Sequence, residues 1–282
     1  MKRTNQCLII TAYNNYELVE KSVLYYSKFM DCYIHMDKKN YSDYWYKRLS
    51  LIEGCYVFSI YKIKWGSINH VKSILYILNQ ATNYEYYHVI PENSMIVVSM
   101  RDFLSFFDNN NFSYIDCGTI NNRLMDRLIY RYYLDIFNLR GNKIVRNISM
   151  QLMNFVVLIQ KKFNLKRKLQ FTYKFKGYLY CDLSSEYVSS MLNFINDNPQ
   201  YIKELKNSFV GEEFFFQNIS VNIDKDIKIK RKSLTYDIWD EKRGFPAILN
   251  TTDFQDIKNS DKLYARKIDL EFFEKYSRDI NG

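Results

Sequence analysis

The chain of 282 residues is poor in the two residues that most often punctuate a backbone, with eight glycines and three prolines. That scarcity excludes collagen-like repeats and Pro/Gly-rich disorder, and no linker of that composition divides the chain. Neither GxGxxG nor GxxxxGK[ST] occurs, so the dinucleotide fingerprint and the phosphate-cradling P-loop are both missing. No CxxC pair is present. The cysteines (Cys7, Cys32, Cys55, Cys117 and Cys181) are scattered and odd in number, and three sit inside apolar runs, which reads as free thiols in a reducing compartment. The longest apolar run, FVVLI at 155–159, is far short of the roughly 20 residues that span a bilayer. The basic start, MKRTNQCLIITAY, has too short an apolar stretch for a secretory signal. A cytoplasmic protein is expected. His35, His70 and His88 show no ligand spacing and are expected to be structural.

What is plentiful is ordinary for a globular protein: 47% hydrophobic and 25% charged residues, enough to bury a sizeable core. The 26 tyrosines fit a general bias toward Tyr, Asn, Lys and Ile. The net charge of +9 is concentrated. Residues 140–176 hold ten of the 40 Lys and Arg and none of the 31 Asp and Glu. The same stretch contains MQLMNFVVLIQKKFNLKRK. Cations flanking an apolar run suit a helix lying on an anionic membrane, and equally suit a core helix with solvated flanks. No nucleic-acid recognition motif accompanies the charge, so nucleic acid is not expected as a partner.

Along the first 120 residues the hydrophobic period alternates. CLIITAY is a continuous apolar run, as a strand buried on both faces requires, and NNYELVEKSVLYYSKF follows at helical spacing. CYIHMD, CYVFSI, YEYYHVI and FSYID read as further strands, separated by helical patterns such as SINHVKSILYILNQA. This predicts an α/β protein with a Rossmann-type parallel sheet flanked by helices, in a single domain, binding its ligand beyond the carboxyl ends of the strands. Residues 121–175 read as irregular and basic. GYLYCDLS is strand-like; helices follow near 185–197, 200–207 and the EEFFFQ stretch, then a closing strand and helix.

Six stretches, taken in order, resemble one family: YIHMDKKN (33–40), KWGSINHVKSILYIL (64–78), KGYLYCDLSSEYVSSML (176–192), GEEFFFQNI (211–219), YDIWD (236–240) and SDKLYARKID (260–269). They are similar to the motifs of the core-2/I-branching β-1,6-N-acetylglucosaminyltransferases, which with the peptide O-xylosyltransferases form glycosyltransferase family 14. The resemblance covers nearly the whole chain and looks most like the bacterial members of polysaccharide loci. It implies a GT-A-like fold and an inverting, metal-independent transferase that takes a UDP-sugar donor, N-acetylglucosamine first among the sugars, to a glycan acceptor. The implied layout is a nucleotide-sugar-binding half at 1–120, the basic segment at 121–175, and an acceptor and catalytic half at 176–282. An acceptor carried on a lipid would suit membrane contact through 140–176. Another donor such as UDP-xylose, or an inactive relative that binds glycan or membrane, remains open.

Inverting sugar transfer needs a base for the acceptor hydroxyl and positive charge on the departing diphosphate. By the resemblance, Glu213 matches the base of the family's DExFxQ, and Glu212 replaces its Asp and orients the acceptor. Lys267 in YARKI matches the lysine on the donor diphosphate, Arg243 stands near a second basic partner, Asp37 matches the residue that reads the uracil, and Trp239 matches an aromatic beside the acceptor sugar. Read without the family, Glu212 and Glu213 could be solvated acids at a helix start, and Trp65 is structural. No cofactor and no metal are expected; the one Asp-x-Asp, DKD at 224–226, holds a lysine between its acids. Two motifs depart from the pattern. Where the family has SGxDxP this chain has IPENSMIV, with Glu92 as a shifted carboxylate, and GSxW becomes Gly177, Tyr178, Leu179 and Tyr180.

Overall fold

The computed structural model describes residues 4–281 apart from 109, 135, 137–138, 140–141 and 224–225. The strands are β1 (Gln6–Ala12), β2 (Asp31–Met36), β3 (Cys55–Phe58), β4 (Tyr86–Pro91), β5 (Ser94–Ile96), β6 (Ser113–Ile115), β7 (Gly118–Thr119), β8 (Phe175–Lys176), β9 (Cys181–Ser184), β10 (Ile229–Lys230), β11 (Thr235–Tyr236) and β12 (Tyr264–Arg266). The helices are α1 (Tyr16–Tyr26), α2 (Asp43–Ser50), α3 (Asn69–Gln80), α4 (Met100–Phe107), α5 (Asn122–Ile129), α6 (Lys143–Lys162), α7 (Ser185–Asp197), α8 (Gln200–Lys206), α9 (Phe215–Asn222), α10 (Phe254–Lys258) and α11 (Leu270–Asn281).

A seven-stranded sheet in the order β10-β6-β9-β4-β1-β2-β3 forms the centre, consistent with the expected GT-A-like α/β architecture. β1 pairs in parallel with both β2 and β4, and β2 with β3. β9 runs antiparallel to β4 and β6, so the sheet is mostly rather than wholly parallel. β1 shows why the apolar run was readable. Successive side chains alternate between faces: Leu8 and Ile10 join one buried cluster with α1, α4 and α11, while Cys7 and Ile9 join a second with α3, α7 and α9. Both faces are dry, so both parities must be apolar, and each large side chain so buried stabilises the fold by about 1.5–3 kcal/mol. Helix starts follow local chemistry. Ser42, Ser99, Asn142 and Ser184 each accept a backbone N–H from the first turn of α2, α4, α6 and α7.

Three elements differ from the expectation. The segment 121–175 holds α5 and the 20-residue α6. A second sheet, β11-β12-β5, is joined to β4 through the turn at Glu92–Asn93, with β5 antiparallel to β12. EEFFFQ begins as a 3-10 turn over Gly211–Phe214 before α9 takes over, so Glu213 lies outside the α-helix. The five cysteines are free, four of them buried.

Candidate active site

The carboxyl ends of β1, β2 and β4 lie side by side along one edge of the sheet, the edge at which such sheets bind ligands. Asp37 leaves the end of β2. Its buried Oδ1 accepts the N–H groups of Lys39 and Ile63, both at 2.9 Å, and Lys39 Nζ lies 3.5 Å from Oδ2. One carboxylate thus ties two loops at the rim. Glu92 leaves the end of β4, and its Oε2 accepts three consecutive N–H groups, those of Tyr13 (2.6 Å), Asn14 (3.0 Å) and Asn15 (3.1 Å), just ahead of α1. Oε1 is buried without a hydrogen-bond partner. Burial pushes the Glu92 carboxyl above its ordinary pKa, and the three amides pull it back only in part.

The carboxylates of the GEEF turn stand close to this rim. Glu212 Oε2 is 2.9 Å from His70 Nδ1, and His70 Nε2 is 3.1 Å from the Thr11 hydroxyl at the end of β1. His70, expected to be structural, therefore links the acid turn to the sheet. Glu213 lies 2.6 Å from Lys176 Nζ and 4.0 Å from Arg127 Nη1, with about a quarter of its side chain exposed. Burial raises its pKa; Lys176 and then Arg127 oppose that without cancelling it. The turn depends on Gly211, where a Cβ would press into the Leu205 carbonyl. Gly177 is equally constrained by the Asp116 backbone, and its N–H donates to the Glu213 carbonyl at 2.9 Å, fixing the turn against β8.

On the other side, β12 brings in Arg266. Its guanidinium carbon lies 5.1 Å from the Tyr178 ring centroid and 5.2 Å from that of Tyr180, and its Nε and Nη1 are buried without a hydrogen-bond partner. A guanidinium resting on aromatic faces with donors unspent is prepared to receive an anion. Trp239, 55% exposed, stacks on Tyr178 at 6.3 Å and 15°. Asp237 locks the pair by accepting from Trp239 Nε1 (2.7 Å) and the Tyr178 hydroxyl (2.8 Å). Tyr180 continues the wall toward His70, with ring centroids 6.1 Å apart, and burial pushes its hydroxyl up to about 12. The contacts run without a break: Trp239, Tyr178, Arg266, Tyr180, His70, Glu212.

Of the residues singled out in the sequence, Glu212 and Trp239 belong to this run of contacts, Glu213 is the chain neighbour of Glu212, and Asp37 stands at the end of β2. Lys267 follows Arg266 directly, its backbone held by Ala247 and Leu249. Arg243 is placed differently. It makes a two-pronged pair with Asp253 (2.9 and 2.7 Å) and donates to the Ile248 carbonyl, so its donors are spent on the fold. His88 is buried between Asp182 and Gln6, and His35 Nε2 accepts the Ile60 and Tyr61 N–H groups, burial lowering its pKa to about 4. Trp65 packs edge-on against Phe209. Two residues of DKD lie outside the described residues, and no His, Cys, Asp or Glu cluster suited to a metal occurs among the described ones. Sequence reasoning missed Arg266, Lys176 and His70. All three sit inside stretches quoted above, so their neighbourhoods were visible and their roles were not.

No protein-family model matches the chain. No curated protein matches it. Among solved structures it is similar to one described as "WbbM bifunctional glycosytransferase apo structure", at 9% identity and a TM-score of 0.44, over 99% of this chain. The chain spans about half the length of that structure, 50%.

Chemically, this region offers a partly desolvated carboxylate beside a lysine, a guanidinium with two unpartnered nitrogens, and a flat aromatic surface. A carboxylate of raised pKa is a better base than a solvated one, and a desolvated guanidinium binds phosphate more strongly than an exposed one.

Proposed function

We propose that this chain is a glycosyltransferase that moves a sugar from a UDP-sugar to a glycan acceptor with inversion, its positive charge supplied by side chains. The supporting observation is the unbroken run of contacts joining the Glu212–Glu213 turn to the unspent guanidinium of Arg266 across the carboxyl ends of β1 and β4. Arg266 and Lys267 would hold the diphosphate and stabilise the charge that develops on it, the part a divalent cation plays in other transferases. Asp37, whose Oδ2 has Lys39 Nζ at 3.5 Å, would read the uracil. Glu213 would take the proton from the acceptor hydroxyl as that oxygen attacks the anomeric carbon and the bond to the diphosphate breaks. Trp239 and Tyr178 give a pyranose a face to stack on, with Glu212 beside it. N-acetylglucosamine as the transferred sugar, metal independence and a place in surface polysaccharide synthesis rest on the resemblance to family 14 alone.

A second reading, the same fold without turnover, is favoured by the changed IPENSMIV stretch, where the family's turn and its Asp are missing. One experiment separates the two. Glu213→Gln is expected to abolish transfer while UDP still binds; near-normal turnover in the variant rejects the assignment, and a wild-type chain that binds no UDP-sugar favours the second reading. Activity retained in excess chelator tests the metal-free claim separately.

A further inference from the structure

α6 carries apolar side chains on two opposite faces. One face, with Ser149, Met153, Val157 and Gln160, is buried against the protein. The other, with Ile144, Ile148, Leu152, Phe155 and Ile159 at helical spacing, is exposed, Ile144 at 72% and Phe155 at 60%. An exposed apolar stripe of this length marks a surface that something covers. The charges around it identify what. Lys143 and Arg146 flank the stripe at one end and Lys162, Lys166 and Lys168 at the other. All five are exposed, and none pairs with an acid among the described residues. Lys161 and Lys176, by contrast, are committed to Asp126 and Glu213. Apolar side chains bracketed by unpaired cations fit the boundary of an anionic bilayer, where the rings and branched chains enter the acyl region and the ammonium groups meet phosphates. No helix among the described residues is long and apolar enough to cross a membrane, so the helix would lie in the plane of the surface.

We infer that α6 docks this protein onto an anionic membrane surface beside the candidate active site. The placement follows from the buried face. Met153 packs in one cluster with Leu134 and Val210, and Val210 immediately precedes the Gly211–Phe214 turn that carries Glu212 and Glu213. The acid turn thus adjoins the buried face of α6, separated from the plane of the exposed stripe by at least one helix diameter, ~10 Å. That location suits an acceptor tethered to lipid, but membrane binding itself does not depend on the enzymatic reading.

The test is co-sedimentation of the purified chain with phosphatidylcholine vesicles, with and without phosphatidylglycerol. Binding is expected to the phosphatidylglycerol vesicles, weak in their absence, and weakened by salt. Leu152→Asp/Phe155→Asp, at exposed positions, should lower the partition coefficient at least about tenfold with an unchanged circular dichroism spectrum. Lys162→Glu/Lys166→Glu/Lys168→Glu should lower it at least about a hundredfold, at roughly fivefold for each cation removed. Wild-type chain left in the supernatant with both vesicle types overturns the inference, as does equal binding to both. A stable dimer that Leu152→Asp/Phe155→Asp converts to monomer also overturns it, because a second copy would then cover the stripe. Turnover is not needed for any of these readings, so failure here and failure of the Glu213 assignment are distinguishable.

Discussion

Replacing Lys176 with methionine probes the balance that sets Glu213. The carboxyl is pushed above its ordinary pKa by burial, and the 2.6 Å contact with Lys176 is the largest influence in the opposite direction. A charge-assisted hydrogen bond of this kind contributes about 1.5–3 kcal/mol, and about 1.4 kcal/mol corresponds to one pH unit. With about a quarter of each side chain exposed, the lower end of that range applies. Arg127 at 4.0 Å remains in the variant and limits the change further. The acid limb of kcat/KM against pH should therefore move up by about one pH unit in Lys176→Met. The sign is fixed: losing a cation disfavours the carboxylate, so more alkaline conditions are needed to generate the base. Well above the limb the variant should be no slower than wild type, since a more basic carboxylate is at least as good a proton acceptor. The assay is UDP release followed across the acid range. A limb that stays in place, or moves to lower pH, refutes the claim that Glu213 is the titrating base held down by Lys176. A uniform loss of rate with an unmoved limb would instead mean that Lys176 orients the turn.

The two arginines should separate cleanly. Arg266→Met removes the unspent donors from the Tyr178–Tyr180 platform and should weaken UDP binding about ten- to a hundredfold by calorimetry. Arg243→Met should leave UDP affinity unchanged yet lower the Tm, because the buried Asp253 loses its two-pronged partner, a cost of about 1–3 kcal/mol; the reverse pattern would return the diphosphate to Arg243. Glu92 predicts a pH-dependent stability. Its folded pKa is raised, so its contribution to stability is present below the ordinary carboxylate range and lost as pH rises through the folded value. Glu92→Gln should therefore gain Tm relative to wild type on going from acid to neutral pH, and parallel Tm curves for the two proteins would refute this.

How much of this could be read in advance depended on how local the cause was. β1 was legible because its neighbours on both faces are apolar, which writes a continuous run into seven residues. β5 was not, because three residues form a strand only through pairing with β12, some 170 positions later. The direction of β9 was illegible for a related reason: a strand carries no local mark of which way its neighbours run. At the site, the two acids stood out as a pair against three phenylalanines, but the histidine and lysine that hold them come from α3 and β8. Arg243 was named because it stands near the place of the family's second basic partner; its own sequence does not show that Asp253, ten residues on, takes both prongs of its guanidinium.

The changed IPENSMIV stretch, which looked like damage, has a coherent structural outcome. β4 ends at Pro91 and a turn begins at Glu92, whose carboxylate gathers the three amides ahead of α1. Asn93 then accepts the Ile268 N–H at 3.0 Å, and Ser94 pairs directly with Arg266. The two-residue turn Glu92–Asn93 thus connects β4 to β5 and carries the chain into the second sheet. That turn carries the Glu92 carboxylate and, through one strand pairing, sets the backbone of Arg266. Neither group can shift without disturbing the other's backbone, so a substitution that breaks the β5–β12 pairing should loosen Glu92 and Arg266 together. The altered motif is then a turn of different sequence that ties Glu92 and the strand of Arg266 to one short connection.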